Sequence, residues 1–305
     1  MKVLDLFAGA GGLGEGFFQA GFEIRASIDN DIHCINTLKS RALFRYYKSI
    51  NKQKKYFDLI KNSDLEERLK LYQELSSKKL INEKIESIDL SKTDNSKIMK
   101  EIINISDNPD IIIGGPPCQA YSLMNRKARR DSKDIRHKLF RNYLHIIDQI
   151  KPKIFIFENV VGMTSTVINK KNIIQLFEED LNNLKTKYKI LSKNNNTLFD
   201  NLSYNRKDYI FDMSLYGLPQ KRRRFILVAI RGDIFKEIDS FKLSESIFKE
   251  ISSDRFTVSD AIRDLPELFL DKKRGNNIFL NEKIDKRKTS LYGKSLINDK
   301  IDGVF

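Results

Sequence analysis

The chain has 305 residues, of which 40% are hydrophobic, enough for one large domain or for one domain with a small appendage. Its 55 Lys and Arg outnumber its 41 Asp and Glu, and the net charge of +14 favours a polyanionic partner. No apolar run approaches the length that spans a bilayer, and no segment resembles a signal peptide. We therefore expect a soluble, cytoplasmic protein, and its two cysteines fit a reducing compartment.

Short apolar segments alternate with helical patterns along the chain. The segments that read as core strands are KVLDLF, FEIRASID, PDIIIGG, PKIFIFENV and RRFILVAIR. The segment NDIHCINTLKS has apolar residues at helical spacing. This alternation predicts an α/β fold with a doubly wound, mostly parallel sheet.

Two segments interrupt the alternation. Residues Ala42 to about Ser87 are charged and helix-prone, with Leu65, Leu69 and Tyr72 on one face, and predict a helical insertion. A solvated hairpin is favoured there over a functional module. Residues Lys193 to Lys207 are polar and predict a long loop.

A glycine-rich turn follows the first predicted strand. Gly9, Gly11 and Gly14 have the G-x-G-x-x-G spacing, and Asp29 ends the next strand 20 residues after Gly9. Glycines let a nucleotide-like cofactor approach the backbone, and the carboxylate accepts hydrogen bonds from ribose hydroxyls. The spacing is shared by nicotinamide-dependent and S-adenosylmethionine-dependent enzymes, and also by turns without a ligand. The segment DLFAGAGG resembles the first motif of S-adenosylmethionine methyltransferases.

The stretch GGPPC presents a cysteine on a stiff backbone. Gly114 and Gly115 permit a sharp turn after a strand, and Pro116 and Pro117 restrict the dihedral angles before Cys118. This is how a nucleophile would be held, and the basic run that follows would favour its thiolate. The other cysteine, Cys34, reads as a small buried hydrophobe. The three histidines do not pair with cysteines at the spacing of metal ligands, so we predict no metal.

Five ordered blocks together resemble the cytosine-5 DNA methyltransferases of restriction-modification systems. They are DLFAGAGGLGEGF, SIDNDI, GGPPCQAYS, FENVVGM and YGLPQKRRRFILV. The resemblance covers about three quarters of the chain. It implies a Rossmann-like S-adenosylmethionine-dependent fold, S-adenosyl-L-methionine as the methyl donor and cytosine in double-stranded DNA as the acceptor.

The resemblance also implies catalytic roles. Cys118 would attack carbon 6 of the cytosine, and this covalent step makes carbon 5 able to accept a methyl group. Glu158 would hold or protonate ring N3, with a pKa raised by burial, and Asn159 would fix its turn. Arg222 and Arg224 would contact the base from one face of an extended segment.

On the cofactor side, the resemblance places Phe7 against the adenine ring and Asp29 on the ribose. Asp89 matches an acidic residue near the adenine amino group, and Pro117 would touch the cofactor. Methyltransferases of duplex DNA flip the target base out of the stack. The basic run Arg126 to Arg141 is then expected to be a mobile loop that closes on DNA phosphates.

The resemblance further predicts the domain organisation. Residues 1–265 would form the catalytic domain, and residues 266–305 would be the start or remnant of a target-recognition region that this family usually has in full. We expect a split enzyme completed by a second polypeptide, with a truncated gene as the rival. The alternatives left open are a tRNA cytosine-5 methyltransferase, a catalytically incomplete DNA-binding subunit and, more distantly, a dehydrogenase.

Overall fold

The computed structural model describes most of the chain, and all that follows concerns its described residues. These are residues 1–117, 139–168, 170–193, 206–250, 256–263, 268–270 and 277–279. The chain divides into two compact units. The first consists of Met1–Phe211 and Arg224–Phe248, and the second of Asp212–Arg223 and Lys249–Phe305.

The first unit is built on an eight-stranded sheet. Its strands are β1 (Lys2–Leu6), β2 (Glu23–Asp29), β3 (Lys84–Ser87), β4 (Ile111–Gly114), β5 (Ile154–Val160), β8 (Tyr188–Leu191), β9 (Ile210–Asp212) and β10 (Arg223–Arg231). The order is β3-β2-β1-β4-β5-β10-β8, and β9 pairs with β10. The strands from β3 to β5 are mutually parallel, whereas β10 is antiparallel to both β5 and β8. The predicted doubly wound, mostly parallel sheet is confirmed, and all five predicted strands are present. A separate short pair, β6 (Val167–Ile168) and β7 (Lys171–Asn172), precedes a helix.

Helices connect the strands and cover both faces of the sheet. They are α1 (Gly12–Gln19), α2 (Ile32–Ser49), α3 (Gln53–Asn62), α4 (Leu65–Ser77), α5 (Ser96–Ser106), α6 (Leu139–Ile150), α7 (Ile173–Asn182), α8 (Gly232–Phe235) and α9 (Ser240–Phe248). Local capping explains where several begin. Asp31 accepts hydrogen bonds from the amides of His33 and Cys34 at the start of α2, and Asp64 forms a capping box with Glu67 at the start of α4.

The alternation of side chains along the strands gives the sheet two apolar faces. On one face, Leu4 and Leu6 belong to a large cluster with buried residues of α5, α6 and α7. Val3 and Ile24 form the opposite face, on which half-buried residues of α1 such as Phe17 pack. Because β1 contributes to both faces, its carboxyl end is held by packing on both sides of the sheet.

The prediction of a helical insertion is only partly correct. Helix α2 continues unbroken through Ala42, so the insertion has no boundary there. Its last residues form the strand β3, which pairs in parallel with β2 and which the sequence did not predict, because only Ile85 of its four residues is buried. The predicted apolar face of α4 is also incomplete, since Leu65 is 45% exposed whereas Tyr72 is buried.

The second unit has few described elements. A 3₁₀ turn spans Met213–Tyr216, helix α10 spans Val258–Ile262, and β11 (Leu268–Leu270) pairs antiparallel with β12 (Asn277–Phe279). Thr257 and Asp260 form a capping box that starts α10. Of the polar loop predicted at Lys193–Lys207, residues 194–205 lie outside the described residues. Among the described helices of the chain, none has the length and apolar character needed to cross a membrane.

Candidate active site

Five strands of the first unit end at one edge of the sheet. In the register of the parallel pairs, Leu6 of β1 lies opposite Ile28 of β2 and Gly114 of β4, and Gly114 lies opposite Phe157 of β5. The residues that follow these strands are therefore neighbours in space. Ligands bind at the carboxyl ends of such strands in doubly wound sheets. The edge brings together most of the residues that the sequence singled out.

The turn after β1 is tightly folded and contains unusual backbone angles. Phe7 has a φ of 54°, in the left-handed region that bulky residues rarely adopt, and Gly9 has a φ of 55°. The turn is closed by hydrogen bonds from the amide of Ala8 to the carbonyl of Ile28 and from the amide of Gly11 to the carbonyl of Ala8. A strained residue held by its surroundings is typical of a functional turn.

The three glycines of this turn serve different purposes. A Cβ at Gly9 would meet no atom within 4 Å, so this glycine leaves open space beside the turn. A Cβ at Gly11 would lie 2.8 Å from Cδ2 of Leu38, so Gly11 is needed for close packing on α2. A Cβ at Gly14 would lie 2.7 Å from Oδ2 of Asp5, so Gly14 makes room for that buried carboxyl group. The sequence had attributed all three to the approach of a cofactor.

The carboxylate of Asp29 joins the turn to the second strand. Its Oδ2 accepts a hydrogen bond of 2.8 Å from the amide of Gly9, and its Oδ1 accepts one of 2.9 Å from the amide of Asp31. Asp89 follows β3 at the same edge, and its pKa is lowered by hydrogen bonds from Ser91 and by the nearby ammonium of Lys92. Both carboxylates are thus fixed at the edge where the sequence predicted a cofactor.

The turn after β4 contacts the end of β5. A Cβ at Gly115 would lie 2.9 Å from Oε2 of Glu158, so only a glycine lets this turn approach the carboxylate so closely. Nδ2 of Asn159 donates a hydrogen bond of 3.0 Å to the carbonyl of Pro116 and so fixes the turn after β4, whereas the sequence had assigned Asn159 to the turn of Glu158. Pro117 is half-buried at the end of this turn. The next residue, Cys118, lies outside the described residues.

The predicted catalytic side chains are brought together in part. Nε of Arg224 on β10 lies 2.9 Å from Oε1 of Glu158, and both side chains are half-buried. Arg222 precedes β10, which begins at Arg223, and it belongs to the second unit. Of the two, only Arg224 therefore lies within the strand, and the contact of Arg222 and Arg224 with the base from one face stays a prediction. Within its own unit, the carbonyl of Arg222 accepts a hydrogen bond from the amide of Met213.

The last residues of the predicted mobile loop belong to a helix, α6, which begins at Leu139. Residues 126–138 lie outside the described residues. Arg141 lies within α6, where its Nε is 2.7 Å from Oδ2 of Asp180. It is therefore part of a helix that packs against the sheet and not of a loop.

A buried polar cluster that was not predicted from the sequence lies behind the glycine turn. Asp5 of β1 is 1% exposed, and its Oδ2 has no hydrogen-bond partner among the described residues. Burial, reinforced by the charge of Glu83, raises the pKa of Asp5 to about 8, against the opposing effects of the Gly14 amide and of Arg45. An aspartate inside an otherwise apolar strand, KVLDL, is the sequence signal that could have identified it.

Arg45 and two glutamates complete this cluster. The guanidinium of Arg45 contacts Oε2 of Glu83 through Nε at 3.1 Å and Nη2 at 2.5 Å, and it contacts Oε2 of Glu15 through Nη1 at 3.1 Å. Oε1 of Glu83 accepts a hydrogen bond from Ser27 of β2 at 2.9 Å. Burial raises the pKa of Glu83, although Arg45 opposes the shift.

The cysteine on α2, predicted to be a small buried hydrophobe, is only partly buried. Cys34 is half-buried, and burial together with the charges of Asp29 and Asp31 raises the pKa of its thiol.

Comparison with known proteins identifies, over nearly the whole chain, the family that the sequence motifs indicated. The family model described as C-5 cytosine-specific DNA methylase matches residues 1–67 and 66–301. A type II methyltransferase from Bacillus paralicheniformis is 32% identical over 302 residues, which cover 92% of this chain and 64% of the relative. A type II methyltransferase from Xanthomonas oryzae is 30% identical over 268 residues, which cover 87% of this chain and 46% of the relative. The chain thus spans less than two thirds of the length of either relative.

One solved structure supports the fold. It is described as a DNA modification methyltransferase encoded within a prophage of E. coli, and it superposes with a TM-score of 0.55 at 23% sequence identity. The match covers 88% of this chain and 56% of that protein. At this identity, the likeness concerns the fold alone.

Proposed function

Because the chain belongs to the C-5 cytosine-specific DNA methylase family, we propose that it transfers a methyl group from S-adenosyl-L-methionine to carbon 5 of a cytosine in double-stranded DNA. The setting we propose is a restriction-modification system, in keeping with the type II methyltransferases to which the chain is similar. The target base would be flipped out of the duplex, as methylation of a stacked base requires.

The residues at the edge of the sheet fit the cofactor. The open space beside Gly9 leaves room for a ligand against the turn. The carboxylates of Asp29 and Asp89 suit the ribose hydroxyls and the adenine amino group, and Phe7 and Pro117 offer apolar contacts to the adenine and the donor. When bound, S-adenosyl-L-methionine supplies an electrophilic methyl group on a sulfonium centre.

The protein side chains would prepare the cytosine for methylation. The thiolate of Cys118 adds to carbon 6, while Glu158 hydrogen-bonds or protonates ring N3, so that carbon 5 gains electron density. Arg224 forms an ion pair with the carboxylate of Glu158 and so keeps this carboxylate beside the end of β10. Arg222 is proposed to contact the base or its phosphate.

The observation that carries this proposal is the contact between the two catalytic motifs. Gly115, three residues before Cys118, lies against the carboxylate of Glu158, and Asn159 holds the carbonyl of Pro116. A cysteine and a carboxylate that act on the same ring must come from neighbouring segments. The two motifs are 40 residues apart in the sequence, and the sheet brings their strand ends side by side.

The test uses duplex DNA that contains 5-fluorocytosine, which traps the covalent adduct. With S-adenosyl-L-methionine, the wild-type chain should form an adduct that survives denaturing electrophoresis. Cys118→Ser should abolish both the adduct and methyl transfer, and Glu158→Gln should slow adduct formation by about 100-fold or more. Glu101→Gln, which alters an exposed carboxylate of α5, is the matched control and should behave as wild type. Normal turnover by Cys118→Ser would contradict the covalent mechanism.

Three expectations from the sequence stay predictions. They are the division into a catalytic domain of residues 1–265 and a recognition remnant of residues 266–305, the second polypeptide, and the cytoplasmic location. Co-expression with the neighbouring open reading frames, followed by bisulfite sequencing of the host DNA, tests the second polypeptide. Methylation that needs such a neighbour would support it, and sequence-specific methylation by the purified chain alone would contradict it.

A further inference from the structure

We propose that Arg45 is a positioning residue for the glycine turn between β1 and α1. Through Arg45, the segment Ala42–Ser87 stabilises the cofactor site. The inference rests on the proposed function, since it concerns the binding of S-adenosyl-L-methionine. It assigns a role to the segment that the sequence favoured as a solvated hairpin.

The first observation is the bridge that Arg45 forms. It is a buried residue of α2, and it joins Glu15 in the first turn of α1 to Glu83 just before β3. The planar guanidinium can contact two carboxylates at once, which an ammonium group cannot do with the same geometry. Arg41, one turn earlier on α2, adds a second contact of 2.8 Å to Oε2 of Glu15. The start of α1, directly after the glycine turn, is thus held by α2.

The second observation is how Glu83 is itself held. Besides Arg45, its side chain bonds to Ser27 of β2, and its carbonyl accepts a hydrogen bond of 3.0 Å from the buried hydroxyl of Tyr72 on α4. A glutamate whose carboxylate is held by Ser27 and whose backbone is held by Tyr72 can keep Arg45 in a single orientation. These contacts therefore connect α4 and β2, through Glu83 and Arg45, to α1, which begins directly after the glycine turn.

The third observation is the apolar packing beneath the turn. A cluster of buried side chains joins α2, α4 and β3, and it includes Leu38, Leu43, Tyr72 and Ile85. Ala8 of the glycine turn packs against this cluster. Leu38 also lies so close to Gly11 that a Cβ there would clash with it. The apolar cluster that the segment shares with Leu38 thus contacts the turn, in addition to the bridge through Arg45.

The charges of the cluster explain why Arg45 cannot be replaced without consequence. Arg45 contacts both carboxylates, of which Glu83 is 6% exposed, and its removal would leave the buried charge of Glu83 uncompensated. Glu15 would keep its contacts with Arg41 and Gln19 but lose the contact with Arg45 that joins it to Glu83. We expect the first turn of α1 and the glycine turn before it to become mobile.

The experiment compares Arg45→Met with the wild type by calorimetric titration of S-adenosyl-L-methionine and by hydrogen exchange of the protein alone. The dissociation constant should rise roughly tenfold or more, as expected for lost charge-assisted hydrogen bonds. Amides of the turn, such as those of Ala8, Gly9 and Gly11, should exchange faster, while those of β5 should keep their protection. Arg45→Lys should fall between the two proteins.

The matched control is Arg25→Met. Arg25 is also an arginine that pairs with two carboxylates, Glu23 and Asp107, but it lies on β2 away from the turn. This variant should bind S-adenosyl-L-methionine as the wild type does. If Arg45→Met does not fold, Glu15→Gln gives the same test, because it removes the contact to α1 and leaves the pair of Arg45 and Glu83 in place.

A double variant separates positioning from general stability. Arg45→Met with Glu83→Gln removes the buried charge imbalance, so it should recover resistance to urea and yet bind the cofactor weakly. Recovery of affinity together with stability would overturn the proposal, as would unchanged affinity in Arg45→Met or in Glu15→Gln. If the wild-type chain itself binds no S-adenosyl-L-methionine, the proposed function fails first, which is a different result from equal binding by wild type and variants.

Discussion

The buried carboxyl group of Asp5 should make the stability of the protein fall as the pH rises. Burial raises its pKa from 3.8 to about 8 in the folded state. The folded protein therefore keeps the proton over a range in which the unfolded chain releases it. The stabilisation is fully present below pH 3.8, decreases as the pH rises, and is lost once the pH passes the folded pKa of about 8.

The size of the effect follows from the shift. Each pKa unit corresponds to about 1.4 kcal/mol, so a shift of about four units amounts to about 6 kcal/mol over the whole range. Between pH 5.5 and 7.5 the unfolding free energy should fall by about 1.4 kcal/mol per pH unit through this group alone. Asp5→Asn cannot ionise, so its stability relative to the wild type should grow by about 3 kcal/mol over those two units.

The assay is urea unfolding followed by circular dichroism at pH 5.5, 6.5 and 7.5 for both proteins. Asp110→Asn is the control, because hydrogen bonds from Lys153 and from the amide of Lys2 lower the pKa of Asp110. Its contribution is lost only as the pH falls below about 4, so its difference from the wild type should stay constant from pH 5.5 to 7.5. A constant difference for Asp5→Asn as well would show that Asp5 is ionised throughout, and would refute the reasoning.

Three further substitutions test the turn after β1, the turn after β4 and the segment Ala42–Ser87. Asp29→Ala removes an acceptor of two backbone hydrogen bonds and should weaken binding of S-adenosyl-L-methionine by about 1–3 kcal/mol, which calorimetry can measure. Gly115→Ala places a methyl group 2.9 Å from Oε2 of Glu158 and should reduce kcat on the order of tenfold with unchanged cofactor affinity, in a radiolabelled methyl-transfer assay. Tyr72→Phe removes the buried hydrogen bond to the carbonyl of Glu83 and should lower the unfolding free energy by about 1–2 kcal/mol, as urea titration would show.

The central strands could be predicted because their signal is local. Each of β1, β4 and β5 is a short apolar run that ends at a glycine turn or a carboxylate, and the ends of such strands define the site. The positions of Asp29 and Glu158 followed from this pattern and from the family resemblance. Family membership was confirmed by comparison with known proteins.

What the sequence did not predict depends on contacts between distant residues. Strand β3 is polar apart from Ile85, so it is recognised only through its pairing with β2. The bridge through Arg45 joins residues 30 and 38 positions away, and a charged residue in a helix gives no sign that it will be buried. The distinct purposes of Gly11 and Gly14 likewise depend on which side chains the fold brings against them.

The hydrogen bonds that Asp29 accepts from Gly9 and Asp31 have a consequence for the thermodynamics of ligand binding. They close the glycine turn through partners that belong to the chain itself. A turn that had to order on binding would lose about 1–2 kcal/mol of conformational entropy per residue, and this loss would be subtracted from the affinity. With the turn already formed, that loss has been incurred during folding, so association should occur in a single kinetic phase whose rate rises linearly with ligand concentration.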